Sequence, residues 1–286
     1  MENKVLLKVS GENICQQREL SQEDLLHLKQ AQHEIIEFNK EYQLLDYVNE
    51  NYNSFMREII NMVNEHHNSG HVLTPFIYDE FIRFINRSLL NLLTSMRTMT
   101  DHLEAKVKRV YGADSQEFLT LKRLFSNAFD THFHYGFSCK LRNFVQHVGM
   151  PPFSFSMGSA IGDANIKYNI KLDFERDELL MKYDSWGPVK KRLMAQDERF
   201  SVFEIIEDLV DTLFDIYAIF KAETSLKKVQ DARDYILNFI GEPKGYALHE
   251  YGIGQFTPDG DKRMSIQLTW LPTALFDKLT LVERHL

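Results

Sequence analysis

The segment 74-TPFIYDEFIRFINRSLLNLLTSMRTMTDHLEAKVKRVYG-112 decides the fold. Thr74 places a capping side chain before a proline at the first helical position, and Gly112 supplies a stop. Between them Ile85, Leu89, Leu92, Met96, Met99, Leu103, Val107 and Val110 recur every three or four residues. That period predicts one long helix with a single buried stripe, and such a stripe requires helical neighbours.

The neighbours follow on both sides. Upstream, Ser21 with Asp24 resembles an N-terminal cap, and apolar residues run at helical spacing from Leu25 to about Val63, with a break expected near Asn39. The stretch NEHHNSGH, residues 64 to 71, reads as a polar surface connection. Downstream, Asp114 with Glu117 forms a capping-box pattern that opens a helix over 115–130. A further helix carries 140-KLRNFVQHVGMPPF-153 and is stopped by Gly149, Pro151 and Pro152. Residues 1–152 therefore read as a helical bundle.

Beyond Pro152 the texture changes. Ile166, Tyr168, Ile170, Leu172 and Phe174 alternate with Lys167, Asn169, Lys171 and Asp173, the period of a half-buried strand, and FSFSMG before them offers a pairing partner. Ser201 with Glu204 opens a second long helix, expected over 201–240, whose stripe includes Phe203, Ile206, Val210, Leu213, Tyr217 and Phe220. After the turn signal Pro258-Asp259-Gly260, residues 264 to 270 alternate like a strand, and 272 to 284 suit a short closing helix. The expected class is mainly α: a bundle over 1–152 and a mixed, β-containing part over 153–286 packed on it.

Composition narrows the function. The 286 residues are 44% apolar and 26% charged, ordinary for a folded chain and unlike a disordered one. A net charge of −8 opposes broad, non-specific attraction to nucleic acid, so any such function requires a local basic surface. The apolar run Val5-Leu6-Leu7 is too brief for a signal-peptide core, and no run approaches the roughly 18 apolar residues of a membrane span. A cytoplasmic protein without a membrane partner is expected. Cys15 and Cys139 have neither disulfide-framework nor zinc-site spacing, and no glycine-rich phosphate loop or internal repeat occurs.

The chemistry-bearing motif lies in KLRNFVQHVGMPPF. At about 100° per residue, with Arg142 at zero, Gln146 falls near 40°, Asn143 near 100° and His147 near 140°, while Leu141, Phe144, Val145 and Val148 gather at roughly 200° to 300°. One face thus carries a permanent cation, two amides and an imidazole. A guanidinium donates to phosphate in a planar fork, and an imidazole moves a proton near neutral pH. The same face also suits an ordinary solvated or subunit-facing helix, and spacing alone leaves both readings open. A second Arg-to-His spacing, Arg97 to His102, lacks the polar residue directly after the arginine.

The segment LRNFVQH, with its helical surroundings from about residue 75 to 148, resembles the signature of the HEPN superfamily: arginine, then a polar residue, three more, and histidine near the end of a bundle helix. The resemblance implies a metal-independent endoribonuclease without a cofactor, acting as a homodimer in which two motif helices face a composite cleft. It implies that Arg142 and His147 are catalytic and that Asn143 fills the polar position. The implied reaction is attack of an RNA 2′-hydroxyl on the adjacent phosphate, with His147 moving protons and Arg142 stabilising phosphoryl charge.

Gln146, Arg97, Asp101 and His102 are expected as cleft support, and Lys140, Lys106, Arg109 and Arg123, with Lys108 and Lys122, as RNA-backbone contacts. Arg97 and Asp101 equally suit a helix salt bridge. Asp130, His132 and His134 point too far apart on a helix to share a metal, so no metal site is expected. By the same resemblance the protein is a toxin or antiviral defence effector with an antitoxin or defence-system partner. Val148 and Gly149 stand where some toxin pairs carry a modified tyrosine two residues after the histidine, so that form of control is not implied. Residues 153–286 have no counterpart in the resemblance. The alternatives are a non-catalytic HEPN-like module that binds a partner protein or nucleotide, and an oligomeric scaffold.

Overall fold

A computed structural model describes residues 4–69, 74–161, 166–243, 247–258 and 264–286. The chain begins with β1 (Lys4–Ser10), β2 (Asn13–Glu19), α1 (Gln22–Ser69), α2 (Pro75–Tyr111), α3 (Gln116–Thr131) and α4 (Phe133–His147). It continues with β3 (Phe153–Ile161), β4 (Ile166–Glu175), α5 (Arg176–Lys182), α6 (Val189–Met194), β5 (Arg199–Ser201), α7 (Val202–Thr224) and α8 (Leu226–Ile240). It closes with β6 (Glu250–Pro258), β7 (Met264–Trp270), a short 3-10 turn and α9 (Phe276–Glu283). The fold is mainly helical with two small antiparallel sheets among the described residues.

Two compact units form, one from Met1–Gln43 with Tyr217–Leu286 and one from Leu44–Ile216. The boundary expected at 152/153 lies inside the second unit. There the β3–β4–β5 sheet packs on the helices that precede it: Phe155 stacks on Phe81 at 5.0 Å, and Phe174 meets Phe137 edge-on at 5.3 Å. These rings bury apolar area against α2 and α4, so the strands are part of that core.

In the first unit the sheet order is β2-β1-β6-β7. Val5, Leu6 and Leu7 are buried in β1, which pairs with β2 on one side and β6 on the other. The short apolar run at the start of the sequence is therefore a sheet core, which its length alone did not reveal. Lys221 is buried beside Glu41, an ion pair joined by Ser225 Oγ at 3.0 Å from the ammonium. Such burial requires a paired charge.

The helix signals of the sequence mostly hold. Thr74 accepts the Ile77 N–H at 3.3 Å, Pro75 opens α2, and Gly112 closes it at φ 101°. Ser21 and Asp24 cap α1 reciprocally, the Ser21 N–H donating to Asp24 and the Asp24 N–H to Ser21 Oγ. Four expectations are corrected. α1 runs unbroken through Asn39, because Ile35, Phe38, Tyr42 and Leu45 continue one buried stripe across it. α1 also extends to Ser69, so His66 and His67 are helical, while His71 lies outside the described residues. Ser115, not Asp114, caps α3 by accepting the Phe118 N–H at 3.1 Å. The helix expected over 201–240 is two helices parted at Ser225, whose φ of −126° departs from helical geometry. Leu172 and Phe174 are buried in β4, with Asp173 half-buried between them and Lys171 exposed before them, and β7 spans 264–270 as expected. Residues 259–260 of the expected turn lie outside the described residues.

Candidate functional site

α4 positions the motif, and its core face sets its rotation. Phe137 stacks on Trp186 at 5.6 Å with an interplanar angle of 6°, and Phe144 packs on the same indole at 6.0 Å. All three rings are fully buried. One turn before Leu141, Gly136 lies so close to its neighbours that a Cβ would stand 2.8 Å from Arg192 Nη2 and 2.9 Å from the Phe129 carbonyl. Arg192 of α6 there donates to the Phe129 and Asp130 carbonyls at the end of α3, which ties α6 to α3 beside Gly136.

With that face committed to the core, the stripe Tyr135, Cys139, Arg142 and Asn143 turns toward α2 and α3 and lines a cleft of about 480 Å³. Met96, Thr100, Phe125 and Phe129 form its apolar part; Arg97, Glu104, Lys122 and Lys140 join Arg142 and Asn143 in its polar part. Four cations thus face one carboxylate at the cleft of a protein whose net charge is −8. Each of three cations has an internal partner. Arg97 pairs with Asp101 at 2.8 Å, Lys122 Nζ lies 3.2 Å from both oxygens of Glu104, and Arg142 Nη1 donates to Gln146 Oε1. These side chains are about half exposed or, at Glu104 and Arg142, less, so an anionic ligand can displace or share the partners at modest cost.

Two titratable groups line the cleft without being charged. Burial pushes the Cys139 thiol up to about 11, against the opposing pull of Arg97 and Lys140. Burial also raises the Tyr135 phenol, next to Cys139 and Glu104. Both act near neutral pH as protonated wall groups.

The structure sorts the expected site residues. Arg142 and Asn143 line the cleft together with Arg97 and Lys140. Asp101 touches it only through Arg97, and Gln146 only through Arg142. His147 ends α4 exposed and does not line the cleft, in keeping with its 140° separation from Arg142 on the helix. His102, Lys106, Arg109 and Arg123 also lie off the cleft lining. Glu104 and Tyr135 line it and are additions to the sequence reading; Glu104 sits seven residues after Arg97, the one signal that placed both on one side of α2.

At the other end of α4, His134 hydrogen-bonds Thr212 Oγ1 at 2.7 Å through Nε2 and approaches Asp208 at 3.4 Å through Nδ1. Burial lowers its basicity, and Asp208 opposes this. Its ring lies 5.3 Å from that of His132, yet no group of three metal-ligating side chains occurs among the described residues. Among those residues no helix is long and apolar enough to cross a membrane. No family model, no curated protein and no solved structure matches the chain.

Proposed function

We propose that the protein is an endoribonuclease of the HEPN type, acting without a metal by attack of an RNA 2′-hydroxyl on the neighbouring phosphate. One observation carries the reading: Arg142 and Asn143, adjacent in the motif, line a cleft where Arg97, Lys122 and Lys140 add positive charge to an otherwise acidic protein. Arg142 and Asn143 hold phosphoryl oxygens, and Arg97 and Lys140 hold the flanking backbone. His147 supplies proton transfer from the exposed end of α4. Because it lies off the cleft of its own chain, the reaction uses a homodimer in which the two α4 ends approach one another. The biological role that goes with this activity is that of a toxin or antiviral defence effector restrained by a partner protein.

The exposed position of His147 favours one second reading, a non-catalytic module that binds an anionic ligand in the same cleft. Expression in a bacterial host separates the two. Wild type is induced beside Arg142→Ala and His147→Ala at equal level, and total RNA is examined for new fragments with 2′,3′-cyclic phosphate ends. Growth arrest and new ends with wild type alone support the nuclease. Identical behaviour of all three, with the purified wild-type dimer also failing to cut RNA, leaves the binding module.

A further inference from the structure

The cleft offers more than cations. Its apolar wall is the half-buried ring of Phe129, backed by the buried side chains of Met96 and Phe125, with Phe125 lying parallel to the Tyr135 ring at 6.5 Å and 9°. Aromatic walls of this kind receive an unstacked base, and about 480 Å³ falls within the roughly 300–1,000 Å³ usual for small-ligand sites. What remains is the carboxylate among the cations. Glu104 is half-buried at the cleft wall and presents two acceptor oxygens, with the Lys122 ammonium 3.2 Å from each.

Lys122 bridges the two oxygens in an exposed pair, so a base that docks on the carboxylate displaces the ammonium to a neighbouring acceptor, and one base edge supplies both the donors and that acceptor. The Watson–Crick edge of guanine carries two adjacent donors, N1–H and the N2 amino group, beside the acceptor O6. Cytosine and adenine place an amino donor beside a ring-nitrogen acceptor, and uracil sets one donor between two carbonyls. Two parallel N–H groups meet a carboxylate in the same bidentate manner as a guanidinium does, and an ammonium within reach of O6 completes the set. Carboxylate acceptors are otherwise rare at an RNA-facing surface, since they repel the backbone; here four cations around Glu104 offset that repulsion.

We infer that the cleft is a guanine-selective subsite, in which Glu104 and Lys122 read the Watson–Crick edge, Phe129 takes the base face, and Arg97 and Arg142 hold the attached phosphate. The inference rests on the reading of this cleft as an RNA site, and it gives that site a base preference. The guanine comes from a free nucleotide or from a residue of single-stranded RNA, and the two sources share this chemistry.

Calorimetric titration of the full-length protein with GMP, IMP, AMP and UMP tests it. IMP is the critical comparison, because it lacks only the N2 amino group. GMP binding at least about tenfold tighter than IMP is expected, the discrimination of one bidentate contact, and larger gaps for AMP and UMP. Glu104→Gln, of the same size and half-buried, loses that discrimination, and Arg142→Ala weakens all four nucleotides alike. Circular dichroism checks that both variants fold. Equal affinity for GMP and IMP, or no GMP binding at millimolar concentration, overturns the inference.

A second titration, with single-stranded U5GU5 against U11, separates the sources: preference for the guanine-containing strand assigns the site to RNA, and preference for GMP alone assigns it to a free nucleotide. The nuclease reading fails or stands separately. Selective GMP binding by a protein that cuts no RNA removes the nuclease and keeps the subsite; cleavage without base preference and without GMP binding removes the subsite and keeps the nuclease.

Discussion

On one side of α4, Phe137 and Phe144 stack against Trp186 with every ring fully buried; on the other, Arg142 and Asn143 stand half-exposed over a cleft. The two sides occupy the same fifteen residues and follow different rules. The buried side is specified by volume and shape, so its residues determine whether α4 exists and how it is rotated. The cleft side contributes little to folding, because its charged groups exchange water for partners of comparable strength. Chemistry can therefore vary there while the scaffold stays fixed.

The largest test of that contrast removes a ring from the core side. Phe137→Ala is expected to cost about 3–5 kcal/mol, the range for a buried phenylalanine whose cavity cannot collapse, since Phe133, Phe174, Trp186 and Phe200 all pack on it. Asn143→Ala, one face away, is expected to stay within about 0.5 kcal/mol. Urea denaturation followed by circular dichroism measures both. Similar costs for the two variants would erase the distinction between the faces.

How far each face was legible follows from the same contrast. The rotation of α4 was readable, because apolar residues at three and four spacing leave one orientation in which Leu141 and Phe144 are buried. Arg142 and Asn143 could accordingly be placed on one polar face. What that face looks at was not readable: the opposing walls come from Met96 and Phe125, which are distant in sequence and carry only a core signal. Glu104 was missed for that reason, being one of many acidic residues on exposed helix faces. The unit boundary was missed for another. The switch from helical to alternating period at residue 153 marks a change of secondary structure, but strands that bury Phe155 and Phe174 on preceding helices continue the same core.

The N-terminal end of α4 sharpens the comparison, since His134 is a titratable group on a partly buried surface. Its basicity is lowered by burial, so the unfolded chain binds the proton more readily. Its contribution to stability is therefore present above the unfolded value near 6.5 and is lost as pH falls through the lower folded value. Denaturation midpoints from pH 7.5 down to 5 are expected to decline more steeply for wild type than for His134→Gln. Parallel declines would show that Asp208, which favours the charged form, cancels the effect of burial, and a shallower decline for wild type would show that it outweighs it.

Within the cleft, Cys139 gives a smaller effect with a chemical readout. A thiol raised to about 11 is protonated at neutral pH, whereas Cys15 lies exposed on β2. Iodoacetamide at pH 7.5, followed by peptide mass spectrometry, is expected to label Cys15 well before Cys139. Faster labelling of Cys139 would mean that the cleft cations and not its burial set the thiol.

The smallest effect is expected from the ion pair at the rim, Arg97 with Asp101. Both side chains are about half exposed, at 54% and 49%, although their separation is 2.8 Å. A short distance between solvated ends of two long side chains gains little over hydration, and an i,i+4 pair is worth about 0.3–0.5 kcal/mol. A double-mutant cycle with Arg97→Ala and Asp101→Ala is expected to return a coupling of that size, shrinking further in 0.5 M salt as screening shortens. The pair then holds Arg97 loosely at the cleft, ready to exchange Asp101 for an incoming phosphate. A coupling above about 1.5 kcal/mol, insensitive to salt, would instead place the pair among the elements that stabilise the fold, and the rim of the cleft would belong with the buried side of α4 after all.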